Sequence, residues 1–303
     1  MTDFRKAPDL DLIERELKYL NQFEEHAESD FASVADLDIW KPTQYEQVYL
    51  PGLRLLGISA ISKVTLQNAA DLHIHTQWSD GDKLDKIIDK ALSLKLDAIA
   101  ITDHDEIDGA LKARRLVHEK RLNLAVIPGT EISSRDGHIG ALFVTRKIPK
   151  GLSAKKTVSL IHEAGGIAVA HHPYSPAWID LVLNMKLGCG DLIREVAFDA
   201  IEATNAVPGR GVKYNIQVVE KMRENHINIA VTGSSDAHQA QFVGKGKTYW
   251  SGNEGVFSLY KAFGYGFTQG AEAYWKTSEK ISYYRHLVLS IIKNRIRKFS
   301  SVN

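Results

Sequence analysis

Cysteine is almost absent from this sequence, with Cys189 the only one among 303 residues. One thiol forms neither an intramolecular disulfide nor a thiolate cluster for zinc. The formal net charge is only +1, so no global field draws the chain to nucleic acid or to a membrane. No apolar run approaches the roughly 18 residues of a membrane-spanning helix, and the charged first residues lack the apolar core of a signal peptide. These absences predict a cytoplasmic protein without a stable membrane partner.

Strand-like and helix-like runs alternate from about residue 66 to 250. The strand-like runs are VTLQNAADLHIH, DAIAITD, LAVIPG, GIAVAHH, DAIEATN and INIAVTGSS, with HIGALFV (138–144) and GKTYW (246–250) as additional strands. Helix-like runs between them carry apolar residues on one face, as at Leu84, Ile87, Ile88, Ala91 and Leu92. Repeated βα units predict parallel strands joined by right-handed crossovers, and six or seven of them favour a closed or nearly closed α/β barrel.

Two flanking segments do not follow this rhythm. Residues 1–65 join a charged helical pattern to the aromatic-rich stretch WKPTQYEQVYLPGLRLLGIS, and we interpret them as an N-terminal extension packed on the barrel or used in homo-oligomer formation. Residues 66–270 are assigned to the barrel. Residues 271–303 contain YYRHLVLSIIKNRIRKF, a basic amphipathic pattern typical of helices that bind membranes or nucleic acid. Because the net charge is near zero, we favour a helix packed on the barrel with its basic face in solvent.

Polar side chains gather where the predicted strands end. His73 and His75 close the first strand, and side chains two apart in a strand point the same way, so both imidazoles can face one site. Asp80 follows in the same stretch, DLHIHTQWSDGD. The candidates on later strands are His104, Glu131, His138, His171, His172, Asn205, Asp236 and His238. Because the carboxyl ends of the strands of a parallel barrel open on one face, we expect these side chains to meet there.

This set of side chains predicts a multinuclear metal centre. A lone strand histidine is usually structural, but imidazoles and carboxylates on consecutive strand ends are costly to bury together without a cation. Such ligands without thiolate suit zinc, manganese or iron rather than calcium. About nine ligands fit two or three divalent ions when a carboxylate such as Glu131 bridges them. The histidines expected in solvent or in local packing are His26, His118, His162, His226 and His286.

The motifs DLHIHTQWSDGD, AITDHD, PGTEIS with GHIG, AHHPY and TGSSDAH resemble, in order and spacing, those of the polymerase and histidinol phosphatase (PHP) family. The resemblance covers about residues 70–250 and implies a distorted (β/α)7 TIM-like barrel with a two- or three-metal site. The implied ligand sets are His73, His75, Glu131 and Asp236 for one metal, Glu131, His138 and His172 for a second, and Asp80, His104 and His238 for a third. Since His172 fits the family pattern and adjacent strand residues point to opposite faces, His171 is expected to pack behind the strand.

The TQWSDG turn and the TDHD segment are most similar to small stand-alone phosphoesterases that act on nucleotides or oligonucleotides. The resemblance therefore implies hydrolysis of a phosphomonoester or phosphodiester by a hydroxide that bridges two metal ions. The expected catalytic residues are Glu131 and Asp236, with either Asp236 or a metal-held histidine relaying a proton. Asn205 and Arg210 are expected to hold a second phosphate or a ribose of the substrate. Arg135 and Lys245 are weaker candidates for that role.

Two alternative functions stay open at this point. The barrel could be a non-catalytic metal-binding scaffold, although every candidate position holds a residue type that binds metals. It could also be a metal-dependent amidohydrolase, since such barrels share His-x-His at a strand end. Those enzymes often place a carbamylated lysine between the metals, and no lysine lies at a middle strand end here. Both observations favour the phosphoesterase.

Overall fold

The computed structural model describes the backbone of residues 47–49 and most of the chain from 66 to 285. Beyond residue 65 the described residues are 66–176, 180, 185–208, 211–224, 227, 229–273 and 275–285. Most of the predicted N-terminal extension and the basic run after residue 285 therefore lie outside the described residues. The same is true of the predicted substrate contact Arg210 and of His26, His226 and His286.

The described chain contains ten strands, five α-helices whose bounds are given below, two short 3-10 helices and one further helical segment near its end. The strands are β1 (Gln47–Tyr49), β2 (Asn68–Ile74), β3 (Ala98–Ile101), β4 (Ala125–Ser134), β5 (Gly137–Leu142), β6 (Ile167–Ala170), β7 (Ala200–Asn205), β8 (Ala230–Ser234), β9 (Gly246–Trp250) and β10 (Gln269–Glu272). The helices are α1 (Leu84–Ser93), α2 (Asp108–Glu119), α3 (Ala154–Glu163), α4 (Gly211–Glu224) and α5 (Val256–Tyr265). The 3-10 helices span Gly190–Arg194 and Ala240–Phe242, and residues 277–285 are also helical.

Strands β2 to β8 form a nearly closed barrel. The order across the sheet is β1-β10-β9-β2-β3-β4-β5-β6-β7-β8. Neighbouring strands run parallel except for β5, which is antiparallel to both β4 and β6. The first and last strands of this run meet where the backbone N–H of His75 donates to the carbonyl of Ala237 over 2.9 Å. The distorted α/β barrel predicted from the sequence is confirmed, and the additional strand predicted near residues 138–144 is β5.

The outer helices attach through the apolar faces that their periodicity predicted. In α1 the buried residues are Leu84, Ile87, Ile88 and Ala91. They belong to one core cluster with Ile99 and Ile101 of β3 and with the buried faces of α2, α3 and α4. Burying an apolar face of this kind stabilises the fold by about 25 cal/mol per Å² removed from water.

Helix α5 closes the end of the barrel opposite the predicted site. A second core cluster joins Leu259 and Phe263 of this helix, together with Trp250, to residues at the amino-terminal ends of several strands. These strand residues include Ala70, Ala98, Ile167, Ala200 and Ala230. The carboxyl ends of the same strands are therefore left open for chemistry.

Strands β9, β10 and β1 extend the sheet beyond β2 in antiparallel pairs. β1 comes from the predicted N-terminal extension, and β10 crosses the boundary predicted at residue 270. The register pairs Gln47 with Glu272 and Tyr49 with Gly270. Main-chain pairing thus ties part of each flanking segment to the barrel sheet.

No helix within the described ranges combines the length and apolarity needed to cross a membrane. The cytoplasmic location and the homo-oligomer stay predictions.

Candidate metal centre

The side chains assigned to metal binding lie together at the open end of the barrel. His73 lies in β2 and His75 just after it, while Asp236 and His238 follow β8. His138 is the second residue of β5. Because β5 is antiparallel to its neighbours, its first residues lie at the end of the barrel where the parallel strands end. The structure brings all the predicted ligands into one cluster, namely His73, His75, Asp80, His104, Glu131, His138, His172, Asp236 and His238.

Glu131 is at the centre of this cluster. Its side chain is 1% exposed, and six imidazole nitrogens lie within 3.5 Å of its carboxylate oxygens. Around Oε1 these are His172 Nε2 at 3.0 Å, His171 Nδ1 at 3.1 Å, His138 Nδ1 at 3.2 Å and His73 Nε2 at 3.3 Å. Around Oε2 they are His104 Nδ1 at 3.1 Å and His75 Nε2 at 3.5 Å. A carboxylate shared in this way has the position of a bridging ligand.

The ligand atoms form four overlapping groups, and within each group they lie within 4.8 Å of one another. The groups are His73 with His75 and Asp236; His104 with Glu131 and His138; His73 with Glu131 and His171; and His75 with Asp80, His104 and His238. Relative to the ligand sets implied by the resemblance, the structure adds His75 to the third set and places His104 beside Glu131 and His138. The shared histidines show how closely the groups overlap.

The chemistry of the donor set fits divalent cations. His138 is 2% exposed, and its ring nitrogens make no hydrogen bond of normal geometry to any described residue, although Nδ1 lies 3.2 Å from Oε1 of Glu131. The buried Nδ1 of His75 also has no hydrogen-bond partner within the described part of the chain, and lies 3.9 Å from an oxygen of Asp80. Buried polar atoms are normally hydrogen-bonded, and an imidazole without such a bond among carboxylates is expected of a metal ligand.

The electrostatics of the buried half of the cluster also call for positive charge. Burial lowers the pKa of His73, but the surrounding carboxylates, first that of Asp236, raise it more, and the result is well above the ordinary value. Burial raises the pKa of Glu131, but the surrounding imidazoles, first that of His138, hold it well below its usual range. The carboxylates thus remain ionised in a dry environment, where a cation is strongly stabilised.

Asp80 and His238 form the more accessible side of the cluster. The Asp80 side chain is 41% exposed, and its Oδ2 lies 3.3 Å from His238 Nε2. Burial lowers the pKa of His238, but Asp80 raises it more, to about 9. His75 lies behind this pair, and its pKa is lowered to about 3 by burial and by the neighbouring imidazoles, first that of His238. The cluster is therefore open to solvent on the side of Asp80.

Glu202 supports the cluster from behind, and sequence reasoning missed it. Its carboxylate is fully buried and accepts hydrogen bonds from His73 Nδ1, from the Ser234 hydroxyl and from the His172 backbone N–H. Burial raises the pKa of Glu202, but the neighbouring imidazoles, first that of His73, lower it by more than that, to about 2. The signal in the sequence was a charged residue in the middle of the apolar strand DAIEATN, where burial requires a partner.

Asn205 also lies behind the ligands. It is fully buried, and its amide donates to Glu202 at 2.9 Å and to Asp236 at 3.3 Å. Its Oδ1 accepts the backbone N–H of Val207 at 3.0 Å. In the structure this amide holds two carboxylates, and the contact between Asn205 and substrate stays a prediction.

The expectation that His171 packs behind the strand is wrong. Strand β6 ends at Ala170, so the alternation of side chains stops before both histidines. His172 turns into the left-handed region with φ of 27°, which lets both rings face the cluster. The His171 ring stacks on that of His73 with centroids 3.8 Å apart. A Cβ on Gly140 would come within 2.1 Å of His171 Nε2, so this approach requires a glycine.

The basic residues predicted to bind substrate are Arg210, Arg135 and Lys245. Arg210 lies outside the described residues, and Arg135 is exposed. Lys245 forms an ion pair of 2.8 Å with Glu279 and lies over the Trp275 ring, 5.3 Å from its centroid. Lys245 is therefore used within the protein.

Comparison with known proteins agrees with this geometry. The chain is 36% identical over 167 residues to an uncharacterized protein of Methanocaldococcus jannaschii. This match covers 51% of this chain and 92% of the relative. It is 38% identical over 65 residues to the 5'-3' exoribonuclease Rnm of Escherichia coli, but this match covers only 21% of this chain and 22% of the relative.

A similar fold is found in a two-domain protein of Bacteroides vulgatus that contains a predicted PHP-like metal-dependent phosphoesterase. The TM-score is 0.51 at 18% identity, and the match covers 68% of this chain and 67% of that one. The model of the PHP domain family matches residues 71–268. The chain belongs to the PHP domain family.

Proposed function

We propose that this protein is a metal-dependent phosphoesterase that hydrolyses a phosphomonoester or phosphodiester at the Glu131 cluster. The observation that carries the proposal is the Glu131 carboxylate, buried and within 3.5 Å of six imidazole nitrogens. Two or three divalent ions among Mn, Zn and Fe are the cofactors that suit these ligands. When bound, such ions supply the acidity that ionises water near neutral pH and the charge that neutralises phosphoryl oxygens.

The residues of the chain have distinct roles in this proposal. His73, His75 and Asp236 would hold one ion, and Glu131 would be shared with its neighbour. His138 and His172 would complete the second position, and Asp80, His104 and His238 the third. Glu202 and Asn205 orient the ligands from behind through the hydrogen bonds described above.

Proton movement is assigned to residues on the open side of the cluster. Asp236 lies 3.4 Å from His75 Nε2 and 3.9 Å from His238 Nδ1, between the buried and the accessible ligands. A carboxylate in that position can hold the proton released when water is consumed. Proton transfer is therefore assigned to Asp236, beside the accessible ligands His238 and Asp80, and phosphoryl binding to the centre of the cluster.

A nucleotide or oligonucleotide is the substrate class we favour. The Escherichia coli relative is named as an exoribonuclease, which concerns that protein and a match of 65 residues only. The TQWSDG turn supports the same class through its resemblance to nucleotide phosphoesterases. A metal-dependent amidohydrolase is less favoured, because no lysine that could bridge two metals lies at a middle strand end of the sequence.

A panel assay of the purified full chain tests the proposal. The protein is loaded with Mn²⁺, Zn²⁺ or Fe²⁺ and offered a generic phosphodiester, phosphomonoesters, nucleotides and a short RNA. The proposal expects metal-dependent release of product from at least one substrate, lost in Glu131→Ala and retained in His162→Ala. His162 is the matched control because it lies on α3 and pairs with Asp199 at 2.8 Å, away from the cluster. Activity that persists in Glu131→Ala would assign the reaction to another site.

A further inference from the structure

A groove lies beside the metal centre, between the turn after β2 and the first half of α2. It has a volume of about 290 Å³ and is lined by Trp78, Asp108, Leu111, Lys112 and Arg115. Ligand pockets usually span roughly 300–1,000 Å³, so this groove matches a small ligand or one unit of a larger one. None of its residues belongs to the metal cluster.

The turn that bears Trp78 is rigid and also bears a predicted ligand. Asp103 accepts hydrogen bonds from the Thr76 backbone N–H and from the Ser79 hydroxyl, each over 2.7 Å. Gly81 is required in this turn, because a Cβ there would come within 2.1 Å of the His75 carbonyl oxygen. Trp78 and Asp80 are two residues apart, so their Cα atoms are at most ~7.6 Å apart. A ligand in the groove is therefore close to the accessible side of the metal centre.

The helix contributes one side of the groove as a regular face. Asp108, Leu111, Lys112 and Arg115 follow the spacing i, i+3, i+4 and i+7, which places them in one row along α2. A Cβ on Gly109 would lie 3.3 Å from Trp78 Cβ, so the absence of a side chain there lets Trp78 approach the helix. The groove therefore combines an aromatic wall with two cations.

Three side chains of the groove are exposed and could contact a ligand. Trp78 is 37% exposed, which is unusual for a side chain of its size. Lys112 and Arg115 are exposed, and neither forms an ion pair with any residue that the structure describes. Two cations against the single carboxylate of Asp108 leave the groove with net positive charge.

We propose that this groove binds one nucleotide of a single-stranded nucleic acid, with the base stacked on Trp78 and a backbone phosphate at Lys112 and Arg115. An aromatic surface beside backbone-binding cations is the usual device for single strands, since every base offers a π-face. The adjoining phosphodiester then lies at the metal centre. The inference deepens the proposed function and relies on it only for the cleavage of that bond, because binding is measurable without turnover.

The test measures binding and turnover separately on the full, Mn²⁺-loaded protein. Binding is measured by fluorescence anisotropy with a labelled five-nucleotide RNA whose phosphorothioate linkages resist hydrolysis. We expect Trp78→Ala to raise Kd by about 5- to 150-fold, the range expected for loss of one base stack, with partial recovery in Trp78→Phe. An abasic strand of the same length should bind the unaltered protein more weakly than the normal strand does. Its Kd should be the same for the unaltered protein and for Trp78→Ala.

Loss of Lys112 or Arg115 should change binding in a different way from loss of Trp78. Lys112→Gln and Arg115→Gln should weaken binding of the normal and the abasic strand alike and should reduce the dependence of Kd on salt. Tyr265→Ala is the control for loss of an exposed aromatic, because Tyr265 ends α5 at the opposite end of the barrel. Lys155→Gln on α3 is the control for loss of an exposed cation. Both controls should bind like the unaltered protein.

Three results overturn the proposal: no measurable binding of the RNA, equal binding of the abasic strand, or an equal loss in Tyr265→Ala. Turnover of the unmodified RNA distinguishes the two proposals. Trp78-dependent binding without hydrolysis of any phosphoester would retain the groove and refute the phosphoesterase. Hydrolysis of the RNA with a KM that does not change in Trp78→Ala would retain the phosphoesterase and refute the groove.

Discussion

Nδ1 of His73 lies 3.0 Å from Oε1 of Glu202, a carboxylate 129 residues further along the chain. This contact directs Nε2 of the same ring toward Glu131 and Asp236, at 3.3 Å and 3.5 Å. A carboxylate behind a histidine fixes the ring orientation and the tautomer, and strengthens the ring as a metal ligand. The barrel therefore sets the direction of one ligand from β7, which lies two strands from β2 across the point of closure.

Replacing Glu202 by glutamine should weaken metal binding while the fold is retained. All the partners of its carboxylate in the structure can donate hydrogen bonds, so one amide NH2 would face donors. We expect about a 10- to 100-fold rise in the Mn²⁺ concentration needed for half-maximal activity. A titration of activity with Mn²⁺ and isothermal calorimetry measure it. Glu163→Gln, on the exposed side of α3, is the control, and identical Mn²⁺ curves for the two variants would contradict the positioning role.

Metal analysis of gently purified protein should give two to three divalent ions per chain. The expectation follows from four overlapping ligand groups that share Glu131, His73, His75 and His104. Ions that bind only the folded state also stabilise it, by about 2.7 kcal/mol at a concentration 100 times Kd, so chelation should lower Tm. Elemental analysis by mass spectrometry and a thermal melt with and without EDTA measure both effects. Fewer than one ion per chain after loading would exclude a multinuclear centre.

Local patterns account for most of what the sequence predicted correctly. The buried face of α1 follows from apolar spacing alone, because helical periodicity puts four apolar residues on one side of the helix. These residues are Leu84, Ile87, Ile88 and Ala91. The two-residue spacing of His73 and His75 fixes their common direction in the same way. These features depend on residues close in the chain, so they are readable without knowledge of the tertiary contacts.

Features that depend on distant residues were not predicted. Glu202 and Asn205 have their roles because barrel closure brings β7 near β2 and near the segment after β8, and hydrogen bonds between such distant segments leave no local pattern. The direction of His171 depends on where β6 ends and on the left-handed turn at His172. Strand β10 has the sequence QGAE, which lacks alternation, and it pairs with β9 and β1 on both sides.

Removal of residues 1–60 should leave the metal ligands intact but destabilise the protein or change its association. The deletion removes β1 and uncovers the edge of β10, whose unpaired backbone groups can then pair with another chain. Melting temperature, solubility and mass by light scattering measure the effect, with metal content as the control for an intact centre. Unchanged values in all three measurements would refute a packing role for this segment.

The stability of the fold should depend on the titration of Glu272. Burial raises the pKa of this carboxyl to about 7, from an ordinary value of 4.5, although a hydrogen bond from Asn215 over 2.8 Å lowers it. The folded state thus holds the proton more tightly than the unfolded state, and stability falls as pH rises from about 4.5 to 7. Glu272→Gln removes this penalty and should be more stable than the unaltered protein at pH 8 by roughly 1–3 kcal/mol, but not at pH 5.

Thermal melts of the two proteins at several pH values measure this difference. Comparing them at each pH removes effects that both share, including loss of metal in acid. Glu254→Gln, at an exposed carboxylate that pairs with Lys261, should show no such trend. A difference between the Glu272 variant and the unaltered protein that stays constant from pH 5 to pH 8 would contradict the assignment.

Alanine at His75, Glu131 or Asp236 should abolish phosphoester hydrolysis and leave the fold in place. His75 and Asp236 meet where the barrel closes, with Nε2 and Oδ1 3.4 Å apart, so either change removes a ligand from the same group. Glu131 contacts imidazoles of several groups, and its loss should be the most severe because two metal positions share it.

Turnover of a phosphodiester at saturating Mn²⁺, together with circular dichroism, measures these three variants. A loss of at least about 100-fold is expected for each, since an altered ligand or its support commonly costs 10- to 100-fold and a bridge affects two ions. His162→Ala is the control, because that ring pairs with Asp199 at the protein surface and should cost little activity. Near-normal turnover in Glu131→Ala, or an equal loss in His162→Ala, would show that the chemistry does not depend on this cluster.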